Sequence, residues 1–227
     1  MRVYKFLPAE FALSNIEHSH IKISRVADLN DPFELRPVST SRRPELRRVL
    51  DSWRQEMDRQ HGLLCFTASW QNPVLWSHYA QKHRGICLSY DLDDSLVERV
   101  RYRGKRIAPR FDNQGGLIRD EPFAQDMLFT KYKRWGYEQE VRVWVSLDPA
   151  TKDAAGHYFY DYNDKLALRE VILGPLFAGS VSKVRRRVKS KAALVHVIKA
   201  RLAFSSFKIV EDRLHRALGS SAQASRK

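Results

Sequence analysis

Trp135-Gly136-Tyr137-Glu138-Gln139-Glu140-Val141-Arg142-Val143-Trp144-Val145 is the stretch on which the reading of this chain turns. Val141, Val143 and Val145 alternate with Arg142 and Trp144, the two-residue period of a strand with two unlike faces. Strand geometry reaching back to Glu138 puts Glu138, Glu140 and Arg142 on one face. The valines then point the other way, into a core. Two carboxylates and an arginine are costly to bury and useful in a cleft. They equally suit a Glu–Arg pair on a solvated strand face, which contributes little.

Elements on either side of this strand read from simple signals. Val3 to Leu7 predicts a strand closed by Pro8, Ala9 to Ile16 a short helix, and Ile21 to Ser24 a second strand. Asn30-Asp31-Pro32-Phe33-Glu34 reads as a tight turn with a folding role. Pro44 to His61 predicts a helix with Leu46, Val49, Leu50, Trp53 and Met57 on one face, stopped by Gly62. Leu63 to Thr67 is too apolar for an edge strand. Asn72-Pro73 opens a helix through about Lys82, with Leu75, Trp76, Tyr79 and His83 on one side. Ile86 to Tyr90 is again an apolar strand, and the helix before it is too short to insist on a parallel crossover.

Farther on, Arg99 to Tyr102 predicts a strand and Gly104 to Gly116 a loop. Pro122 to Arg134 predicts a helix that delivers the chain to the acidic strand. Strands follow at 157–160, 171–173, 194–198 and 207–210, with a basic helix over 180–188. The sum is an α+β protein: a single domain over 1–211 with a central mixed or antiparallel sheet flanked by helices, then a basic, disordered tail over 212–227.

With 227 residues the chain can bury a real core without staples. Cys65 and Cys87 lie in apolar runs and read as buried thiols in a reducing compartment. No zinc spacing, signal peptide or membrane-length apolar run is present, so the expectation is a cytoplasmic protein with no membrane partner. The charge is uneven. Of 40 basic and 26 acidic residues, 13 basic and only 2 acidic fall between Val181 and Lys227. Such an excess attracts a polyanion, nucleic acid above all, or else simply solvates a helix and tail.

There is no phosphate-binding glycine loop, dinucleotide fingerprint or nucleophile elbow. Ser77 and His78 are helix neighbours about 100° apart and cannot form a nucleophile–base pair. Carboxylates among aromatics suit chemistry at a sugar, where a carboxylate steadies a cationic centre and a ring stacks the leaving base.

Several motifs fall in order: Asn30-Asp31-Pro32-Phe33-Glu34, Leu75-Trp76-Ser77-His78-Tyr79-Ala80, His83-Arg84-Gly85-Ile86-Cys87, Phe129-Thr130-Lys131, and Trp135 with Tyr137-Glu138-Gln139-Glu140-Val141-Arg142. Together they resemble a bacterial domain family of unknown function. The order of elements is also distantly similar to the ADP-ribosyltransferase superfamily. That resemblance implies NAD as the bound substrate, with Glu140 catalytic and Glu138 assisting. Tyr4 or Lys5 on the first strand would contact NAD, Thr67 or Ser69 would lie by the nicotinamide, and Trp76 or Tyr79 would form the aromatic wall, with Arg142 beside the carboxylates. The first strand departs from the superfamily, which carries His or Arg there.

Three functions follow as expectations. The first is an ADP-ribosyltransferase-like enzyme whose acceptor is nucleic acid, in a toxin or phage-defence setting. The second is a non-catalytic nucleic-acid-binding protein using Arg99, Arg101, Arg103, Lys105 and Arg106 with Arg185, Arg186 and Arg187. The third is a nuclease holding Mg²⁺ with Asp31, Glu34, Glu138 and Glu140.

Overall fold

The computed structural model describes residues 1–191 and 194–214. In chain order the elements are β1 (Arg2–Leu7), α1 (Ala9–His18), β2 (His20–Ile23), α2 (Pro44–Gln60), β3 (His61–Thr67), α3 (Pro73–Tyr79), β4 (Ile86–Leu92), β5 (Glu98–Arg99), β6 (Arg101–Arg103), α4 (Glu121–Phe129), β7 (Thr130–Tyr132), β8 (Glu140–Ser146), β9 (Tyr158–Asp161), β10 (Leu166–Leu173), α5 (Val181–Lys191), β11 (His196–Leu202) and β12 (Ile209–Glu211). The class is α+β, with a large mixed sheet. The chain packs as two compact units. Of the described residues, one comprises 1–21, 66–95, 161–191 and 194–214; the other comprises 22–65 and 96–160. Most of the tail expected over 212–227 lies outside the described residues. No helix among the described residues is long and apolar enough to cross a membrane.

In the first unit the strands lie in the order β12-β11-β10-β4-β1, with the end of β3 beyond β1. Strand β1 is antiparallel both to β4, from Arg2 opposite Asp91 to Leu7 opposite Ile86, and to β3, where Tyr4 faces Thr67. Strands β3 and β4 are therefore parallel to each other with β1 between them, so the short helix α3 does make a parallel crossover. Five successive residues of β4, Ile86 to Tyr90, are buried, which explains its unbroken apolar run. Gly85 is required at the entry to β4, because a Cβ there would meet the Leu7 carbonyl at 2.3 Å.

Helix α3 begins as expected, its Asn72 side chain accepting from Val74 N at 2.9 Å. It stops at Tyr79, earlier than expected. Gln81, Lys82 and His83 take left-handed backbone conformations, so His83 does not share the helix face. Helix α5 turns Val184 and Val188 into the core and leaves Lys183, Arg186, Arg187 and Lys189 exposed.

The second unit is built on α2 and α4. Leu46 and Leu50 of α2 pack with Val38, Phe123 and Met127, and Trp53 meets the Phe123 ring edge-on at 5.8 Å. Val49 is exposed, off the face predicted for it. Gly62 does not stop α2; the helix ends at Gln60 and Gly62 is already in β3. There it lets the chain pass close to Ile23, whose Cγ2 a Cβ would meet at 2.3 Å. Helix α4 ends at Phe129, five residues before its predicted end. The freed residues form β7, which pairs parallel with β6 and sets Tyr102 beside Lys131. Strand β5 pairs antiparallel with β8, Glu98 opposite Arg142.

Candidate functional site

The acidic stretch is not one continuous strand. Lys133–Glu138 forms a 3₁₀ turn, Gln139 is left-handed at φ 45°, and β8 begins at Glu140. Glu138, Glu140 and Arg142 nevertheless converge, because the left-handed residue reverses the chain between the two glutamates. Val141 and Val143 enter the core on the opposite face, as the alternation required.

What converges is a buried ionic cluster of five side chains: Glu34, Lys131, Glu138, Glu140 and Arg142. The Lys131 ammonium donates to Glu138 Oε2 at 2.7 Å and Glu140 Oε2 at 3.1 Å, and lies 3.2 Å from Glu34 Oε1. Arg142 donates from Nε to Glu140 Oε1 at 2.7 Å. Its Nη2 reaches both Glu34 oxygens at 2.9 Å and Glu140 Oε2 at 3.1 Å, and its Nη1 reaches the Leu128 carbonyl at 2.8 Å. The Trp135 ring lies 5.0 Å from the ammonium, and the backbone N–H of Glu140 donates to the Tyr102 hydroxyl at 2.8 Å.

The electrostatics follow from this geometry. Burial works against the Glu140 carboxylate, yet Arg142 and Lys131 outweigh it and hold its pKa down to about 2. Burial dominates at Glu34 and pushes its carboxyl up despite the same two cations. Lys131 is raised because Glu140, Glu34 and Glu138 together outweigh its own desolvation. Burial, with the charges of Glu140 and Glu138, lifts the Tyr102 phenol to about 12. Three carboxylates face two cations, and the ionised form is disfavoured at Glu34 and favoured at Glu140.

Beside this cluster a cleft of about 290 Å³ opens, lined by Phe33, Arg36, Arg103, Lys105, Arg106, Thr130, Lys131 and Tyr132, among others. Every charged residue lining it is basic. Phe33 and Tyr132 are 55% and 47% exposed, and the Arg106 guanidinium lies 5.1 Å from the Phe33 ring. Thr130 is buried, and its hydroxyl has no hydrogen-bond partner among the described residues. Arg36 also pairs with Asp51 at 3.0 Å, and Arg103 approaches Asp126 at 3.9 Å, both at the surface.

The turn at Asn30–Glu34 thus does more than fold a loop. Asp31 closes it by accepting from Phe33 N at 2.9 Å, Glu34 enters the ionic cluster, and Phe33 lines the cleft. Leu35, buried and left-handed at φ 56°, holds Glu34 and Arg36 in position. Such a conformation is costly for a branched residue and persists because the core fixes it. Glu34, Lys131, Thr130, Phe33, Arg36 and Tyr132 were absent from the sequence-derived NAD and nucleic-acid sites. The Asp-Pro-Phe-Glu turn and the Thr-Lys-Tyr run were the available signals, and the second was hidden inside an overlong helix.

The other candidates lie elsewhere. Tyr4, Lys5, Thr67, Ser69, Trp76 and Tyr79 belong to the first unit, and Glu138, Glu140 and Arg142 to the second. Tyr4 and Thr67 face each other on neighbouring strands. Thr67 and Ser69 close a local turn, the Ser69 hydroxyl accepting from Gln71 N at 3.2 Å. Trp76 corrects the expectation of an aromatic wall. It is wholly buried, packed edge-on against Phe6 at 5.0 Å, with its indole N–H donated to the Trp70 carbonyl at 2.6 Å. A ring enclosed in this way has no face left for a ligand. Tyr79 is half-buried.

Of the basic strip, Arg103, Lys105 and Arg106 line the cleft, whereas Arg101 turns to Asp126 at 3.5 Å. Arg187 pairs with Glu17 at 2.8 Å, Arg186 is exposed, and Arg185 lines a separate pocket of the first unit. The nuclease set is also rearranged: Glu34, Glu138 and Glu140 are engaged with Lys131 and Arg142. Among the described residues no group of three His, Cys, Asp or Glu is placed to hold a metal ion.

No family model matches the chain, and comparison with curated proteins and with solved structures finds no match.

Proposed function

We propose that the protein binds single-stranded nucleic acid through the cleft of the second unit. One observation carries this reading: two half-exposed aromatic rings, Phe33 and Tyr132, stand on a cleft whose charged lining is entirely basic. A base stacks on either ring, and phosphates meet Arg36, Arg103, Lys105 and Arg106. Sequence-tolerant binding of single strands rests on this pairing of π-faces with cations. Lys131 adds a floor kept cationic by its three carboxylates. The ionic cluster beneath acts as scaffold: it holds the Phe33 turn, β7 and β8 in one arrangement.

The test is fluorescence anisotropy with a labelled oligothymidylate of about 20 nucleotides. Four phosphate contacts imply a slope of log K against log salt of about −3. Phe33→Ala with Tyr132→Ala is expected to weaken binding by about 10-fold or more. No binding at low salt, or a double variant indistinguishable from wild type, overturns the reading.

A second reading, an NAD-cleaving ADP-ribosyltransferase, keeps one observation in its favour. Glu138 and Glu140 both contact Lys131, which itself lines the cleft. A catalytic Glu140 would need Lys131 or Arg142 to release one of its oxygens when substrate arrives. Wild-type protein that releases no nicotinamide from NAD, with total cellular nucleic acid and protein present as acceptors, removes this reading.

A further inference from the structure

The hairpin joining β11 to β12 presents an anomaly. Phe204 and Phe207 are 93% and 97% exposed, and Leu202 beside them is 60% exposed. The hairpin is a closed structure. Arg201 faces Val210 and Leu202 faces Ile209 across the ladder, and Ala203 N donates to the Lys208 carbonyl at 2.9 Å. Ile209 N donates to the Gln71 carbonyl at 2.9 Å, tying the hairpin to the loop before α3. The two rings therefore stand out from a fixed turn, and with Pro73, Leu202, Lys208 and Ile209 they border a groove of about 480 Å³. Rings left bare on an ordered turn mark a contact surface.

The charges around the rings select the partner. Around the tip, from Ala200 to Val210, the charged residues are Arg201 and Lys208, while Glu211 stands at the far end of the ladder opposite Ala200 and Lys199 is turned to the Gly174 and Pro175 carbonyls. The Arg201 guanidinium lies 4.2 Å from the Phe204 ring. Rings whose nearest charges along the chain are the cations Arg201 and Lys208 fit a polyanion that also carries flat apolar faces. A membrane fits less well: an inserting tip would draw the guanidinium on Phe204, together with Ser205 and Ser206, into an apolar layer. A second copy of the same tip fits less well again, since it would set like charges against each other.

We infer that the Leu202–Ile209 hairpin is a second nucleic-acid contact, stacking bases on Phe204 and Phe207 with phosphates on Arg201 and Lys208. It goes beyond the cleft by naming a separate surface, and it shares the cleft reading's class of ligand.

The experiment uses the full chain, the same labelled oligothymidylate, and Phe204→Ser with Phe207→Ser. Both rings are solvent-exposed, so folding is expected to survive, and circular dichroism verifies it. The hairpin variant is expected to weaken binding about 10-fold, and ultraviolet cross-linking followed by peptide mapping to place the oligonucleotide on the 202–209 segment in wild type. In a Phe33→Ala, Tyr132→Ala background, residual binding that the hairpin change abolishes supports the inference whatever becomes of the cleft. Unchanged affinity with no cross-link at 202–209 overturns it. It is overturned equally if the hairpin change releases the protein from phosphatidylcholine vesicles containing about 30% phosphatidylserine, or turns a dimer into a monomer by light scattering, while leaving oligonucleotide binding intact.

Discussion

Replacing one glutamate of the ionic cluster should destabilise the protein severely, and replacing another should not. Glu140 takes donors on both oxygens: Arg142 Nε on one, and Lys131 with Arg142 Nη2 on the other. An amide nitrogen at either position would face a donor it cannot bond. The carboxyl's pKa, held at about 2 against an ordinary 4.5, corresponds to about 3 kcal/mol of stability. A depressed carboxyl contributes stability that is full above its ordinary value and is lost as pH falls through its folded value. The Glu140 contribution is therefore present above pH 4.5 and disappears toward pH 2. Glu34 has the opposite sign. Burial raises its pKa, so its ionisation on going to neutral pH weakens the fold. Both Glu34 oxygens accept from the single Arg142 Nη2, so Glu34→Gln still offers that nitrogen an acceptor, and two carboxylates then face two cations.

At pH 7 we expect Glu140→Gln to cost about 3 kcal/mol and Glu34→Gln about 1 kcal/mol or less. Urea unfolding followed by the summed fluorescence of the five tryptophans measures both, Trp135 among them lying 5.0 Å from the Lys131 ammonium. The same titration at lower pH should show Glu140→Gln losing less stability on acidification than wild type. Equal losses for the two substitutions, or a Glu140→Gln protein as stable as wild type, would refute the reasoning.

Three further outcomes follow from the same structure. Lys131→Met leaves three buried carboxylates against Arg142 alone and should cost about 3–5 kcal/mol in chemical denaturation, more than the neighbouring surface change Lys133→Met. Trp76→Ala should cost about 3–5 kcal/mol by cavity formation, whereas a wall exposed for ligand stacking would lose far less; thermal melting distinguishes the two. Native Cys87, wholly buried with its thiol pushed up by desolvation, should resist a thiol reagent that reaches Cys65 first, as timed mass spectrometry would record.

Much of this was written locally in the chain. Proline and asparagine at the start of α3 set its first turn. The apolar run Ile86–Tyr90 specified a strand buried on both faces. The alternation Val141-Arg142-Val143 fixed which side of β8 meets the core, and so put Arg142 with Glu140. Local pattern failed where a distant partner outweighed it. The Phe129-Thr130-Lys131 run continues a helical signal, yet Thr130–Tyr132 gives up the helix to pair with β6. Glu138 joined the cluster through a left-handed Gln139, which no periodicity anticipates. Trp76 looked like a site residue because an aromatic on a short helix reads the same whether a core or a ligand covers it.

The sequence by itself determined the class of fold, the two-faced strand and the basic, aromatic-bearing character of the chain. These follow from propensity, period and charge, which are properties of neighbours. Only the tertiary structure decided what the carboxylates do. Glu34 and Arg142 are 108 residues apart, and their 2.9 Å contact exists only because the folded unit brings the Asp31-Pro32 turn against β8. Burial in a shared low-dielectric interior, set against the cations, then fixes the direction of each shift, Glu140 downward and Glu34 upward. That property depends on every charge around it and is carried by no single stretch of sequence.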